Sequence, residues 1–369
     1  FLKNLADPFE AACNDGESFG NFRLKDCVVR GRELIDWYEA KKQMEASRKE
    51  KGRYLIGVGM ACGSHGTSMF PFMPDITGIT IKMNEDGTIV FTTGTSDMGN
   101  GSVTTQCMLI SEVLGIPLDH IAYIKTDTDA AMSDLGAYAS RGTYTSGHAA
   151  VKTAQIMRDK IAVLAAERLD TTTDNLDFHD DAVWCVDIHR KFVSMKEIAV
   201  HAREKHQEDL SCSYMFHSEA GPMSSGAHFA KVQVDTVTGG IKVLEYAAVH
   251  DVGRVVNPMG ITGQLEGGIS MGLGYALCEE MKLDSTGRNQ TSSFKKYHIL
   301  NVKEMPKLSV DFLDSEEETG PYGAKSIGEC AVVPVAPAIA NAVSNAVGRQ
   351  FYKLPIRPED VLEALSLVK

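Results

Sequence analysis

The chain has 369 residues, 43% of them hydrophobic and 23% charged, proportions that are typical of a globular protein with one large or two medium domains. Its formal net charge of −12 and the absence of a long Lys/Arg-rich run argue against nucleic-acid backbones and anionic membrane surfaces as partners. No stretch approaches the roughly 20 consecutive apolar residues of a membrane span, and the first residues lack a basic segment followed by an apolar run. We therefore expect a cytoplasmic protein.

The residue types that commonly bind metals do not show a metal-binding spacing. The eight cysteines form no C-x-x-C pair and several lie in apolar segments, which favours buried, reduced thiols over disulfides, zinc or an iron–sulfur cluster. The eleven histidines include no H-x-x-x-H pair, so zinc chemistry is not expected, and His250 is interpreted as a hydrogen-bonded interior residue. Asp127, Asp129 and Asp134 lack the calcium-loop pattern and are interpreted as a solvated strand end.

The first half of the chain predicts a helical lead-in and then a hairpin followed by a helix. Residues 1–50 are polar with a mostly helical pattern, which predicts a lead-in linker segment that lies against another part of the protein. Alternating polar and apolar residues then predict a hairpin that turns at Glu85 to Gly87. Apolar residues at helical spacing follow up to Leu114, and Gly115 ends this predicted helix.

Strand, loop and helix then recur. The stretch "HIAYIKTD" predicts a strand, "DLGAYASRGTYTSG" a loop of small residues, and the apolar positions from Ala150 to Leu164 a helix. Ser194 and Glu197 form a capping box that opens a short helix. Near the end of the chain, a helix from Pro337 to Val347 capped by Gly348 and a helix that starts near Pro358 are predicted.

The second half repeats the hairpin, loop and helix of the first. A hairpin is predicted to turn at Thr238 to Gly240, and the glycine loop "GQLEGG" and an apolar helix follow it. Because 78–114 and 227–278 share the same order of elements, we infer a weak internal duplication in architecture. The expected fold is α+β, with two related lobes of mixed or antiparallel sheet with helices, residues 51–226 and 227–369.

Four stretches rich in small residues each precede a predicted helix: "DMGNG", "GAYASRGTYTSG", "GQLEGG" and "GPYGAKSIGE". Glycine lets a ligand approach the backbone, and unpaired N–H groups at a helix start attract anions. A single such loop is more often just a tight turn, but several that converge would hold a large phosphate-bearing cofactor. None of them matches the P-loop pattern.

These four motifs, together with "HDVGRVVNP", resemble those of molybdenum hydroxylases of the xanthine dehydrogenase and aldehyde oxidoreductase family in order and approximate spacing. The resemblance runs from about residue 51 onward and concerns the C-terminal half of the molybdopterin-binding subunit. It implies a molybdopterin, or its cytosine dinucleotide form, that carries molybdenum. It also implies partners: the N-terminal half of the molybdenum subunit, an iron–sulfur subunit with 2Fe–2S clusters, and an FAD subunit or module.

The resemblance also assigns roles to individual residues. In this family the metal is held by the pterin and by non-protein ligands, so no protein ligand to the metal is expected. The residues implied to contact the cofactor are Gly99, Asn100 and Gly101 at its border, Ala139, Ser140, Gly142 and Thr143 near its pyrophosphate or pterin, and Gln264 through its amide. Glu329 falls on the family's general base, which deprotonates the water-derived oxygen that attacks the substrate.

Glu329 raises the question of why an acidic residue precedes a long apolar segment. Burial in an apolar surround makes a carboxylate more basic, which suits a general base. The alternatives are that Glu329 pairs with Lys325 or caps the following helix. Two positions depart from the family pattern, since Ser96 and Asn100 stand where many members carry glutamines.

Arg141 is also open to more than one interpretation. It lies in the second small-residue loop, where it would contact a carboxylate-bearing substrate, the cofactor, or a structural ion-pair partner.

The function implied by the resemblance is hydroxylation of an electron-poor carbon of an aromatic N-heterocycle, of the purine or nicotinate type, with water as the oxygen source. Aldehyde oxidation and aromatic acyl-CoA chemistry are the alternatives within the enzyme class. A cofactor-free scaffold subunit is the alternative outside it. Since the chain has no cluster-binding cysteine pattern to receive electrons, the enzyme is expected to work only with its partners.

Overall fold

The structure is a computed structural model that describes residues 2–10, 18–124, 126–188 and 190–367. In chain order its elements are α1 Leu24–Leu34, α2 Trp37–Glu50, β1 Tyr54–Gly66, β2 Ile76–Met83, β3 Ile89–Thr93, α3 Ser102–Leu114, β4 Ile121–Ile124, α4 Thr145–Leu169, β5 Leu176–His179, β6 Ala182–Cys185, β7 Phe192–Ser194, α5 Met195–His206, β8 Ser211–His217, β9 Met223–Asp235, β10 Ile241–Asp251, α6 Pro258–Leu277, β11 Lys307–Leu313, α7 Val335–Val347 and α8 Pro358–Leu367. Short 3₁₀ helices lie at Leu2–Asn4, Leu118–His120, Thr173–Asn175, Pro321–Gly323 and Gly328–Ala331.

The chain forms two compact units that are discontinuous in sequence. Unit 1 consists of Phe1–His65, Met223–Ser315 and Ile327–Lys369, and unit 2 of Gly66–Pro222 and Glu316–Ser326. The sequence predicted contiguous lobes, 51–226 and 227–369. The units differ from those ranges because β1 adds to the edge of the β9–β10 hairpin, more than 150 residues later in the chain, and so joins unit 1.

Unit 2 is built on a four-stranded sheet with the order β4-β3-β2-β8. Strands β2 and β3 form the predicted hairpin, and Gly87 occupies its turn with φ +89°, a conformation that favours glycine. Helix α3 then crosses over to β4, which pairs parallel to β3, and α4 packs against β2 and β8. A second, antiparallel sheet of the order β5-β6-β7 leads into α5, whose predicted capping box of Ser194 and Glu197 is confirmed.

Unit 1 has an equivalent sheet with the order β1-β9-β10-β11. Strands β9 and β10 form the predicted antiparallel hairpin, α6 crosses over, and β11 pairs parallel to β10. Helix α7 lies against β9, and its apolar face joins α6, α8 and the sheet in one core. The α+β class and the two related arrangements of hairpin and helix are therefore confirmed.

Helix α7 ends at the predicted Gly348 cap, which has φ +80°, and α8 starts at the predicted Pro358. The segment Gly328–Val347 is long and apolar enough to cross a membrane, but 67% of its most apolar window is buried inside the protein. It contributes Val335, Ile339 and Val343 to the core of unit 1, so α7 is a core helix of the unit.

The lead-in segment is an integral part of unit 1. Helix α1 packs against β9, β10 and β11, and Cys27 and Val28 are buried in a cluster with Phe229. A Cβ atom at Gly31 would lie 2.8 Å from Phe229 Cδ2, so only glycine permits this close approach. The expectation that this segment lies against another part of the protein is confirmed.

The "GQLEGG" stretch is not a loop before a helix, and this prediction is wrong. Helix α6 has already begun at Pro258, because Asn257 Oδ1 accepts a 3.0 Å hydrogen bond from the Gly260 amide and proline fits the first helical position. The glycines inside the helix allow close packing instead. A Cβ atom at Gly268 would lie 2.7 Å from that of Ala331.

The buried polar groups of unit 1 include a histidine pair. His250 is fully buried, and its Nε2 lies 2.6 Å from Nε2 of His228, whose Nδ1 lies 2.9 Å from the Tyr246 hydroxyl. Burial lowers the pKa of His250 to about 3, although the neighbouring Asp251 opposes the shift, and lowers the pKa of His228 well below its usual value. The interpretation of His250 as a hydrogen-bonded interior residue is confirmed.

The seven described cysteines are free thiols, as predicted, and Cys13 lies outside the described residues. Burial raises the pKa of Cys62 to about 12 and that of Cys212 to about 11, so both stay protonated at neutral pH.

Candidate functional site

The loop before α3, residues 95–101, is glycine loop 1. The Asp97 carboxylate organises it, since Oδ1 accepts hydrogen bonds from the amides of Gly99 at 2.9 Å and Gly101 at 3.3 Å. The other oxygen accepts from the Val103 amide at 3.3 Å, and Asn100 Oδ1 accepts from Ser102 N at the same distance. These amides already have acceptors, so the expectation of unpaired N–H groups is wrong at this helix start.

The outer face of glycine loop 1 is nevertheless open. A Cβ atom built at Gly99 or Gly101 would meet nothing within 4 Å, and both residues have positive φ, +100° and +70°. A ligand can therefore approach this backbone without meeting a side chain. With Asn100 Oδ1 used within the loop, its amide nitrogen is the group that remains to donate to a ligand.

Two buried polar side chains on the first turns of α3 have no hydrogen-bond partner among the described residues. These are the Ser102 hydroxyl and both polar atoms of the Gln106 amide, and Gln106 is fully buried. The two residues are four apart and so lie on one face of the helix. A buried unsatisfied polar group costs about 1–3 kcal/mol, so this face of α3 is suited to a polar guest.

The loop before α4, residues 135–144, is glycine loop 2. Ala139 and Ser140 both have φ +51°, a left-handed conformation that is strained for residues with a Cβ atom. The Thr143 and Tyr144 amides donate to Ser326 Oγ at 3.1 and 2.9 Å, which fixes the start of α4. A Cβ atom at Gly142 would have one neighbour, Ser102 Cβ at 3.7 Å, so glycine loop 2 lies beside the start of α3.

Arg141 anchors glycine loop 2 from the inside. It is 1% exposed, and its Nε donates to Asp75 Oδ1 at 2.6 Å while Nη1 donates to both oxygens of Asp134 at 3.0 Å. Its Nη2 donates to the Ile76 carbonyl at 2.6 Å and the Thr77 hydroxyl at 2.5 Å. Of the interpretations offered by the sequence, the structure therefore supports the structural ion pair.

This network corrects one further interpretation. Asp127 and Asp129 are exposed, as expected for a solvated strand end, but the Asp134 side chain is 1% exposed. The burial of Asp134 follows from its pairing with Arg141, since a carboxylate is rarely buried without a cation.

In unit 1, Gln264 lies on α6, one turn before Gly268, and is half-buried. The neighbouring Leu265 packs with Cys330 and Ala331 of the 3₁₀ helix Gly328–Ala331, the helix that carries Glu329. Unit 1 therefore places the helix of Gln264 against the short helix of Glu329. A Cβ atom at Gly263 or Gly267 would meet nothing within 4 Å, so this side of α6 is open as well.

Glu329 is exposed, and the expectation that it lies in an apolar surround is wrong for this chain. The 3₁₀ helix turns Cys330 and Ala331 into the core and Glu329 away from it. Capping of the next helix is also excluded, because α7 begins at Val335, six residues farther along. The pairing of Glu329 with Lys325 stays an untested alternative.

Residues 30–306 match the family model described as "Molybdopterin cofactor-binding domain". The chain belongs to this family. The domain is 30% identical over 371 residues to the putative xanthine dehydrogenase molybdenum-binding subunit XdhA of Escherichia coli K12. The aligned region covers 99% of this chain and 49% of XdhA. It is 33% identical over 352 residues to the probable hypoxanthine oxidase XdhD of the same strain. This aligned region covers 94% of the chain and 35% of XdhD.

The same fold occurs in reconstituted CO dehydrogenase from Oligotropha carboxidovorans, with a TM-score of 0.92 and 24% identity over 100% of this chain and 49% of the other. This likeness shows the fold alone. The chain thus spans about half the length of XdhA and about a third of the length of XdhD.

The residues of the domain fit a molybdopterin. The unsatisfied Ser102 and Gln106 groups border the glycine loops, and the backbone of Gly99 and Gly101 is open to a large ligand. Amide, hydroxyl and backbone groups are the donors and acceptors that a pterin with its phosphates requires.

Several residues that build this site were not singled out from the sequence. Asp97 had a local signal, an acidic residue just before a helix start. Ser326 and Asp75 had none, because their partners lie 182 and 66 residues away in the chain.

Proposed function

We propose that this domain is the C-terminal molybdopterin-binding region of a molybdenum hydroxylase. The enzyme would hydroxylate an electron-poor carbon of an aromatic N-heterocycle with water as the oxygen source. The observation that carries the proposal is the open backbone of glycine loop 1 beside buried, unsatisfied polar groups at the start of α3. Membership of the molybdopterin cofactor-binding domain family supports the identity of the ligand.

The residues proposed to hold the cofactor are the eight that the sequence indicated. In unit 2 they are Gly99, Asn100 and Gly101 of glycine loop 1 and Ala139, Ser140, Gly142 and Thr143 of glycine loop 2; in unit 1 the residue is Gln264. Asn100 would donate through its amide nitrogen, since its oxygen already accepts from Ser102 N. Asn100 is shorter than glutamine, so it reaches only a group close to the loop.

Glu329 is proposed as the general base. When bound, the molybdenum cofactor supplies the two-electron acceptor and the site at which water is activated. A carboxylate oxygen of Glu329 would take the proton from the attacking oxygen and later release it to water. The exposure of Glu329 leaves its carboxylate accessible to a substrate.

A purine is the proposed substrate. The relatives described above are named for xanthine and hypoxanthine, and both names fit a ring carbon between nitrogens as the site of attack. Nicotinate-type rings belong to the same chemical class. Aldehydes and aromatic acyl-CoA esters are outcomes that a substrate screen would distinguish.

Partner chains or modules are proposed to complete the enzyme. The N-terminal half of the molybdenum subunit would supply much of the substrate pocket around the exposed Glu329, since the domain spans 49% of XdhA. An iron–sulfur subunit with 2Fe–2S clusters and an FAD subunit would carry electrons onward. We propose a cytoplasmic location for the complex.

The test is the isosteric variant Glu329→Gln in the purified complex. We expect kcat for purine hydroxylation to fall by about 100-fold or more, since a general base contributes this much, while the molybdenum content stays unchanged. The matched control Glu363→Gln changes an exposed glutamate of α8 and should leave both quantities unchanged. Full turnover by Glu329→Gln would refute its role, and an active complex without molybdenum would refute the proposed function.

A further inference from the structure

We propose that unit 2 carries a zinc-binding site formed by Glu167 of α4 and by His201 and His206 of α5. Among the residues that the structure describes, these three form the group of metal-binding side chains that could hold an ion, and their ligand atoms all lie within 4.8 Å of one another. The site is independent of the molybdopterin and is composed of two imidazoles and a carboxylate, which is a recurrent zinc ligand set.

The three side chains already point at one spot. His206 Nε2 lies 2.8 Å from Glu167 Oε2, and His201 Nε2 lies 3.3 Å from the same oxygen. The two imidazole rings are 5.5 Å apart and nearly perpendicular, at 78°. Both rings therefore direct Nε2 toward a single carboxylate oxygen, and an ion placed among the three atoms would replace these hydrogen bonds.

A neighbouring lysine orients the carboxylate. Lys205 Nζ contacts Glu167 Oε1, the oxygen that the imidazoles do not use. A partner of this kind fixes the orientation of a metal-binding carboxylate and leaves its other oxygen for the ion. One cation on Oε1 also leaves room for a second on Oε2, since each carboxylate oxygen has two lone pairs.

The helix geometry favours a cation at this position. Helix α4 ends at Leu169, two residues after Glu167, and α5 ends at His206 itself. The carboxyl end of a helix carries a partial negative charge from its unpaired carbonyl groups. Two such ends meet at the cluster, and their fields add to the charge of Glu167.

The donor atoms select the type of ion. Two nitrogen donors favour zinc over magnesium or calcium, which prefer oxygen ligands. His201 is 12% exposed and His206 39%, which leaves one coordination position open to water and a path for the ion to enter.

The position of the site indicates a structural role. Glu167 lies near the end of α4, whereas glycine loop 2 precedes its start at Thr145, so the rise of the helix separates them by roughly 33 Å. An ion here would join the ends of α4 and α5 in unit 2. The spacing of His201 and His206 is not one that places two residues on the same helix face, so the site could not be predicted from the sequence.

The experiment measures zinc affinity of the purified protein, in its complex, by competition with a chromogenic chelator. We expect one saturable zinc ion per chain at this site, with two imidazole nitrogens in the zinc X-ray absorption spectrum. The variants His206→Gln and Glu167→Gln should each weaken binding by about 10-fold or more. The control His298→Gln removes an exposed histidine that pairs with Glu304, and it should leave the affinity unchanged.

Circular dichroism and thermal unfolding without zinc show whether each variant is folded. Equal zinc affinity in His206→Gln and His298→Gln, or a bound zinc without imidazole ligands, would overturn the proposal. If neither cluster variant folds, the absorption spectrum of the zinc-loaded wild type decides the question alone. Molybdenum content and turnover play no part in these readouts, so their outcome is separate from that of the proposed function.

Discussion

Unit 2 and unit 1 contain the same succession of elements. In unit 2 the hairpin β2–β3 leads through α3 to β4, and in unit 1 the hairpin β9–β10 leads through α6 to β11. A further helix, α4 or α7, packs on each sheet beside the crossover helix. The four-stranded orders β4-β3-β2-β8 and β11-β10-β9-β1 correspond strand by strand.

The two crossover helices use glycine differently. The glycines of unit 2 precede α3, in a loop held by Asp97, and leave the backbone open. The glycines of α6 lie inside the helix, where Gly268 and Gly272 admit Ala331 and Val335. One architecture thus uses small residues to leave the backbone open in one unit and to pack a helix closely in the other.

The units also differ in what they bury. Unit 2 buries a charged network around Arg141, whereas unit 1 buries the neutral pair of His228 and His250. Matched substitutions in the two units test these differences.

Loss of the Arg141 side chain should have the largest effect. Arg141→Met leaves the carboxylates of Asp75 and Asp134 buried without a cation, which costs about 3–5 kcal/mol of unfolding free energy. The matched change in unit 1 is Arg53→Met, which removes an exposed partner of Asp235 and should not change the unfolding midpoint measurably. Urea unfolding of both variants measures the difference. Similar losses in the two variants would mean that the buried network is not distinctive of unit 2.

Acid should destabilise unit 1 through its buried histidines. Folding lowers the pKa of His250 from 6.5 to about 3, so between these values the unfolded chain binds more protons than the folded protein. The stability present above pH 6.5 is therefore lost as the pH falls toward 3. His250 should contribute about 1.4 kcal/mol of lost unfolding free energy per pH unit in this window. Urea unfolding between pH 7 and pH 4 measures the slope.

The variant His250→Leu should flatten this slope, whereas His298→Gln, which changes an exposed histidine, should retain it. An unchanged slope in His250→Leu would show that other groups govern the acid sensitivity.

Alanine substitutions within α6 should have opposite effects. In Gly268→Ala the new Cβ atom would lie 2.7 Å from that of Ala331, and such overpacking costs about 1–3 kcal/mol. Gly263→Ala meets no neighbour within 4 Å, so it should stabilise the helix by up to about 1 kcal/mol. Thermal unfolding of the two variants measures both signs, and destabilisation by Gly263→Ala would show that the open side of α6 is occupied.

The smallest effects are expected at the helix starts. Asp97→Ala removes the acceptors of two amides in glycine loop 1 and one in α3, and Asn257→Ala removes one acceptor at the start of α6. Each loss should cost about 1 kcal/mol, with the larger value at Asp97 because its carboxylate makes more bonds. Chemical unfolding of both variants gives the comparison, and a larger loss at Asn257 would contradict the role assigned to Asp97.

The sequence predicted those features that depend on neighbouring residues. The turns at Gly87 and Gly239, the capping box of Ser194 and the start of α8 have local signals, and the structure confirms each of them. The duplication was visible for the same reason, since each copy is a contiguous run of hairpin and helix.

Features that depend on distant residues could not be predicted. The burial of Arg141 requires Asp75, which is 66 residues earlier in the chain, and the zinc cluster joins Glu167 to His201 on another helix. The exposure of Glu329 follows from the turn of a short 3₁₀ helix, which an apolar sequence context does not reveal. The roles of the proposed cofactor-binding residues stay predictions.

Molybdenum content of the purified complex tests the central claim most directly, with a variant that fills the proposed cofactor space. In Gly142→Leu the new side chain would enter the proposed cofactor space, where a Cβ atom has one neighbour at 3.7 Å. In the control Gly52→Leu it would enter open space in unit 1, where a Cβ atom has no neighbour within 4 Å. We predict stoichiometric molybdenum in the wild type and in Gly52→Leu, and loss of most of it in Gly142→Leu without loss of folding. Full molybdenum in Gly142→Leu would contradict the account.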